Sequence, residues 1–371
     1  MDEPQPLSTR PPSAAPPVIR LGDSGEVAAA LPHLLGFHPA ESLVLVSLRG
    51  PGGSRVGLTA RADLPDPADA AALARALAVR MDTDDPAAVL LAVVSEAPDD
   101  VTVPVFPAHF EPPGAAPELP HRALVHEVVL ALDAIDVPVR EALLVRVGRW
   151  WDYDCPYPCC EPGRGTPLPD GASPLAAAAV AGGAVLARDR EALAARIAPP
   201  TEVTGLAAMA EACLRAGREH AARLRAAGRP AVAWGCDAAI ADAVSACRPG
   251  PATAGTRLPD AQVARVLWAL TLTEVRDRAM GLALGDDAAA AEVLWTECTR
   301  RAPVPLDGPP ATLLAVSAWL RGDGATANVA LDRALAADPA AELPRLLADG
   351  LQACLPPAEL RALITSTLAG G

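Results

Sequence analysis

From Val18 the chain alternates short apolar runs of strand character with segments whose apolar residues recur at helical spacing. Leu43 to Leu48 (LVLVSL) is dense in β-formers, Gly50-Pro51-Gly52-Gly53-Ser54 is a turn cluster, and Arg55 to Asp63 alternates again. The pair predicts a hairpin. Ala68 to Met81 repeats apolar residues at helical spacing, and Ala88 to Val94 (AVLLAVV) is the continuous apolar run expected of a strand covered on both faces. A helix from about Pro120 to Ile135 then leads to a strand over Glu141 to Trp150. A strand, helix, strand succession of this kind reads as a parallel crossover. The fold class predicted is therefore an α/β N-terminal domain, a mixed sheet with a hairpin and a parallel crossover, followed by an all-α, repeat-like C-terminal domain.

The β signal fades from Ser173, where Ala-, Leu- and Arg-rich helical segments begin, punctuated by Pro199-Pro200, Gly228-Arg229-Pro230 and Pro249-Gly250-Pro251. The last opens a polar linker to about Thr256. Beyond it, Ala279, Ala291, Cys298 and Pro303 recur 36 residues on as Ala315, Ala327, Ala334 and Pro339, with Trp295 and Leu331 as large residues in equivalent stretches. Each unit carries a Gly/Asp turn, Gly285-Asp286-Asp287 and Gly322-Asp323-Gly324. Small residues where two antiparallel helices touch, with a proline opening the next turn, resemble a tetratricopeptide repeat. The organisation predicted is a disordered leader over 1–17, an α/β domain over 18–170, a helical connection over 171–256 and a repeat-like helical region over 257–371.

Composition changes the picture mainly by exclusion. The sequence holds no lysine in 371 residues, so a P-loop, a kinase-type phosphate lysine and a Schiff base are ruled out. A net charge of −14, with arginines interleaved among acids, argues against nucleic acid as a partner. The acidic, Pro-rich start (MDEPQPLSTRPP) has neither the basic nor the apolar region of a signal peptide. The Ala-rich run Ala176 to Ala187 is shorter than the roughly 18 residues of a membrane span. A cytoplasmic protein without membrane contact is expected, its eight cysteines reduced or bound to metal.

Candidate chemistry concentrates in Arg149 to Cys160, RWWDYDCPYPCC, just past a predicted strand end, where ligands of open α/β sheets gather. Cys155, Cys159 and Cys160 offer three sulfurs within six residues, beside Asp152 and Asp154. They can be read as a zinc site, as a strained and easily reduced disulfide, or as a Pro-rich corner whose thiols are small apolar groups. The packed corner is favoured over zinc, because neighbouring Cys159 and Cys160 are expected to diverge and no second ligand pair follows. A second constellation, His38, Glu41 and Ser42, falls on the loop before the first strand, where acid/base or nucleophilic roles compete with simple tethering of the turn. Arg61 and Asp63 share one face of a strand and, with Arg149 and Asp152, are the candidate ligand-binding residues. No complete catalytic motif is present.

In combination, Leu34 to Val44 (LLGFHPAESLV), Arg61 to Pro65 (RADLP), the cysteine corner with Gly165-Thr166-Pro167-Leu168, and the tail from Ala318-Trp319 to Asp338-Pro339 resemble the actinobacterial family known as domain of unknown function DUF4192. The resemblance covers the chain from about residue 18 and implies an actinobacterial, cytoplasmic protein, without implying an activity. In that family a proline often follows the paired cysteines; here Glu161 intervenes before Pro162. The function expected is binding or adaptor work: a protein partner on the repeat-like helices and a small ligand on the α/β domain. The alternatives are a thiol-redox or metal-dependent enzyme at the corner, with His38 brought near it by the fold, and a purely structural role.

Overall fold

Seven of the eight residues of strand β1 (Ser42–Arg49) are buried, and this run of apolar, largely β-branched and leucine residues forms a central strand of the sheet. The structure, a computed structural model, describes residues 24–53, 55–101, 117–169, 186–248 and 258–370. The leader, most of the Ala176 to Ala187 run and the 249–256 linker lie outside the described residues. Helix α1 (Ser24–Leu35) precedes β1; β2 (Arg55–Asp63), α2 (Ala70–Asp82) and β3 (Ala88–Val94) follow. A short ribbon, β4 (Asp100–Val101) with β5 (Pro117–Glu118), leads to α3 (Arg122–Asp133), β6 (Val139–Arg146), β7 (Arg149–Asp152) and β8 (Thr166–Pro167).

The main sheet runs β2-β1-β3-β6-β7-β8. β1 and β2 form the predicted antiparallel hairpin, β3 joins β1 antiparallel, and β3 and β6 are the predicted parallel pair, with α3 between them in the chain. One expectation is corrected: Glu141 to Trp150 is not a single strand. Val147 and Gly148 take φ of 47° and 68° and reverse the chain, so that Val145 faces Trp150 and Arg146 faces Arg149. Two consecutive positive-φ residues make the tight turn whose twist matches a hairpin. Apolar, strand-forming residues flank the turn on both sides, Ala142 to Val145 before it and Trp150-Trp151 after it, and Gly148 alone marks the break, which is why the pattern conceals it.

The two faces of the sheet are separated by the strand period of two. Leu43, Leu45, Leu91, Val93 and Leu144 pack with α2 and α3. Val44, Val46, Leu90, Ala92 and Leu143 belong instead to a core shared with α1 and the helical region. Burial of each such Leu or Val side chain contributes about 1.5–3 kcal/mol.

The helical region comprises α4 (Arg190–Ile197), α5 (Val203–Cys247), α6 (Asp260–Ala269), α7 (Thr273–Met280), α8 (Ala288–Arg301), α9 (Gly308–Leu320), α10 (Gly324–Ala337), α11 (Glu342–Gln352) and α12 (Pro357–Gly370). Every residue of α9 from Pro310 to Trp319 is buried, as expected of a helix that is apolar all round and central to its layer. The small positions picked out by the 36-residue offset, Ala279, Ala291, Cys298, Ala315, Ala327 and Ala334, are all buried, as are Trp295 and Leu331. No helix among the described residues is long and apolar enough to cross a membrane.

Candidate metal centre

β7 leads the chain to Asp152, and a single 3₁₀ turn over Pro158–Cys160 brings it back. That return draws three thiols together. Cys155 Sγ lies 3.8 Å from Cys159 Sγ, which lies 3.9 Å from Cys160 Sγ, and all three sulfurs fall within 4.8 Å of one another. The expectation that adjacent Cys159 and Cys160 diverge is thus corrected. A tetrahedral zinc with bonds of about 2.3 Å to sulfur holds its thiolates about 3.8 Å apart, so the observed pairs have the spacing of thiolates around one ion.

The cluster is graded from interior to solvent: Cys160 is buried, Cys155 half-buried and Cys159 exposed. Burial pushes the Cys160 thiol up to about 12; the thiols of Cys155 and Cys159 add to the rise, and a hydrogen bond from the Asp152 N–H, 3.3 Å from Cys160 Sγ, opposes it. Without a cation, therefore, the inner ligand stays protonated. Among the described residues no His, Asp or Glu joins the three sulfurs. One position of a four-coordinate ion would remain for water or an outside ligand.

The surroundings hold the corner rigid. Trp151 is 3% exposed and donates from Nε1 to the Glu161 carbonyl, while the Arg146 guanidinium sits over its ring at 4.9 Å. Arg149, a candidate ligand residue, donates to the carbonyls of Arg164 and Gly165 at 2.8 and 2.9 Å and so braces the loop behind the cysteines. Asp152 accepts the Asp154 N–H at 2.9 Å. Tyr153 donates to the Pro120 carbonyl at 2.6 Å, and Arg122 reaches the Tyr153 carbonyl at 3.1 Å, which ties the corner to the start of α3. Burial raises the Tyr153 pKa well above the phenol range, so the hydroxyl remains a donor.

The other candidates lie elsewhere. Arg61 pairs with Asp63 at 2.6 Å and donates to Ser42 Oγ at 2.9 Å, on β2 at the far edge of the sheet from Arg149 and Asp152. The structure thus divides those four residues between two places. His38 is exposed, and its backbone N–H donates to the Ala187 carbonyl. The preceding Phe37 packs in the core on one side of the sheet and Cys160 in the core on the other, so His38 does not join the cysteines.

Glu41 and Ser42 are both engaged at the loop. Ser42 Oγ donates to the Ala40 carbonyl; Glu41, at φ 43°, accepts from Ser95 Oγ at 2.7 Å and from the Glu96 N–H at 2.8 Å. Ser95 and His121 were not legible as partners in the sequence. Ser95 directly follows β3, a position at a strand carboxyl end, but nothing local signals that His121 Nε2 comes within 3.0 Å of its Oγ. Ser95 Oγ donates to Glu41 and accepts from the Ala97 N–H, which leaves His121 Nε2 as a second donor to it. This hydroxyl, 1% exposed, ties the loop before β1 and the end of β3 to the start of α3. Of the remaining cysteines, Cys213, Cys236 and Cys298 are buried, and Cys247 and Cys354 half-buried.

No curated protein and no solved structure matches the chain. A family model described as a domain of unknown function, DUF4192, matches residues 25–358, a span that includes the sheet, the cysteine corner and most of the helical region. With nearly the whole chain inside that match, the protein belongs to the DUF4192 family.

Proposed function

We propose that this protein binds a zinc-class ion through Cys155, Cys159 and Cys160 and keeps one coordination position for water or a small ligand. The observation that carries the reading is the convergence of three sulfurs within 4.8 Å, with two pairs at 3.8 and 3.9 Å. Three protein ligands and an exchangeable fourth position are the arrangement of catalytic rather than structural zinc, and soft thiolates select zinc over magnesium or calcium. Binding would displace the Cys160 proton, so affinity should rise with pH. In this reading Asp152 and Arg149 serve the centre by orienting and bracing its loop.

The test is metal content and competitive zinc titration of the full chain purified without chelator, beside Cys155→Ser, Cys159→Ser and Cys160→Ser. One equivalent of zinc in the parent, lost in each folded variant, supports the reading. Cobalt substitution should give thiolate charge-transfer bands, and a shift of the visible bands on adding azide would report the open position. A metal-free parent whose Cys155 and Cys159 join reversibly on mild oxidation would overturn the metal reading in favour of redox chemistry.

A protein partner on the helical region remains a second reading, favoured by Leu346 on α11 and Leu363 on α12, which are 57% and 56% exposed. A partner retained by the parent and lost by the Leu346→Glu/Leu363→Glu variant, with zinc binding unchanged, would support it. Equal retention by both proteins would remove it.

A further inference from the structure

Helix α5 is two arms. Gly228, at φ 76° and ψ 167°, leaves the helical path, and Pro230 opens the second arm with its fixed φ. On the first arm Ala216, His220 and Arg223 recur at helical spacing and share one face, and on the second Val232, Cys236 and Ala239 do the same. Both faces line one cavity of about 150 Å³, whose third side is supplied by Arg265 and Trp268 of α6. A side chain at Gly217 would meet the Trp268 ring at 2.5 Å, so glycine lets the indole lie against the first arm, where its Nε1 donates to the Cys213 carbonyl at 2.8 Å.

The polar lining points to a ligand. His220 is 9% exposed, its Nε2 is buried without a hydrogen-bond partner, and its ring centroid is 6.0 Å from that of Trp268. Burial, and then the nearby Arg223, lower the His220 pKa, so the imidazole is neutral at pH 7. Arg265 has no ion-pair partner among the described residues, while Arg223 meets Glu219 at 3.4 Å. The pocket therefore sets two guanidinium groups against one carboxylate, in a chain whose net charge is −14.

We infer that this pocket binds a small aromatic carboxylate of about benzoate size, its ring against Trp268 and the alanine walls and its carboxylate toward Arg265 and Arg223. A cavity of roughly 150 Å³ accommodates a benzene ring, and a guanidinium fork matches a carboxylate in geometry as well as charge. The site is separate from the cysteine corner, and neither requires the other.

The experiment is titration of benzoate into the full chain by calorimetry, with saturation-transfer NMR to identify the bound protons and benzamide as the neutral control. Saturable benzoate binding is expected, weakened roughly tenfold or more in Arg265→Gln and for benzamide. It should be abolished in Ala239→Leu, which fills the cavity from a half-buried position, and circular dichroism should show both variants folded. No saturable binding to the parent would overturn the inference, as would binding that both variants leave unchanged.

Discussion

Gly165→Ala tests whether Trp151 backs the cysteine corner. Gly165 has φ 63°, and a Cβ there would come 2.4 Å from two carbons of the Trp151 ring. The ring has nowhere to go. It is 3% exposed, and the guanidinium above it is itself held by Asp99 at 2.8 Å and the Ala97 carbonyl at 2.6 Å. Alanine in the left-handed region costs about 1–2 kcal/mol, and overpacking against a fixed ring adds about 1–3 kcal/mol. Gly163 is the internal control: its φ is 76°, but nothing lies within 4 Å of a Cβ there, so Gly163→Ala should show the backbone cost alone.

The assay is urea unfolding of both variants, compared at constant m-value, with zinc competition on the same samples. Gly165→Ala should lose about 1–3 kcal/mol more than Gly163→Ala. It should also bind zinc more weakly, because relief of the clash moves the Glu161 carbonyl and the Cys160 turn away from the sheet. Equal stability losses in the two variants would refute the packing argument. A stability difference with unchanged zinc affinity would show that Trp151 supports the fold without positioning the thiols.

Other perturbations read other parts of the structure. Arg301 is 4% exposed, donates to the Leu258 carbonyl at 2.8 Å and pairs with Asp260 and Glu297. Arg301→Ala should cost about 3 kcal/mol by urea unfolding, the lower end for a broken buried pair, because the partner carboxylates can rehydrate; a loss under about 1 kcal/mol would contradict this. The Arg229 ion pair holds the Glu274 carboxyl down to about 2, from an ordinary value of 4.5. Its stabilisation is present above pH 4.5 and lost as pH falls toward 2, so Glu274→Gln should flatten the acid limb of stability against pH, least at high salt. Cys160 is shifted the other way: its contribution is complete below about pH 9 and lost as pH rises toward 12, so metal-free Cys160→Ala should hold its stability better over that range.

The sequence carries the parts of this fold that depend on local periodicity. The LVLVSL run, the turn cluster after it and the alternating Arg55 to Asp63 stretch specify the β1-β2 hairpin, because a period of two already encodes both faces. The AVLLAVV run announces a strand covered on both sides, and the 36-residue offset marks small residues that are buried. The Val147-Gly148 turn is hidden because strand-forming residues stand on both sides of it and no cluster of turn residues marks it.

The sites depend on more than local order. The sequence alone places three cysteines in one corner and excludes lysine chemistry, but a spacing cannot say whether neighbouring thiols converge; the 3₁₀ turn, locked by Trp151 and Arg149, decides that. It sets Arg61 and Arg149 on strands without showing that three other strands lie between them, since strand order follows from chain closure. Gly228 and Pro230 announce a break, yet only packing against α6 turns that break into a cavity around His220. Local propensity acts over a few residues, whereas convergence of thiols, arms and strands is settled when distant apolar faces are buried together.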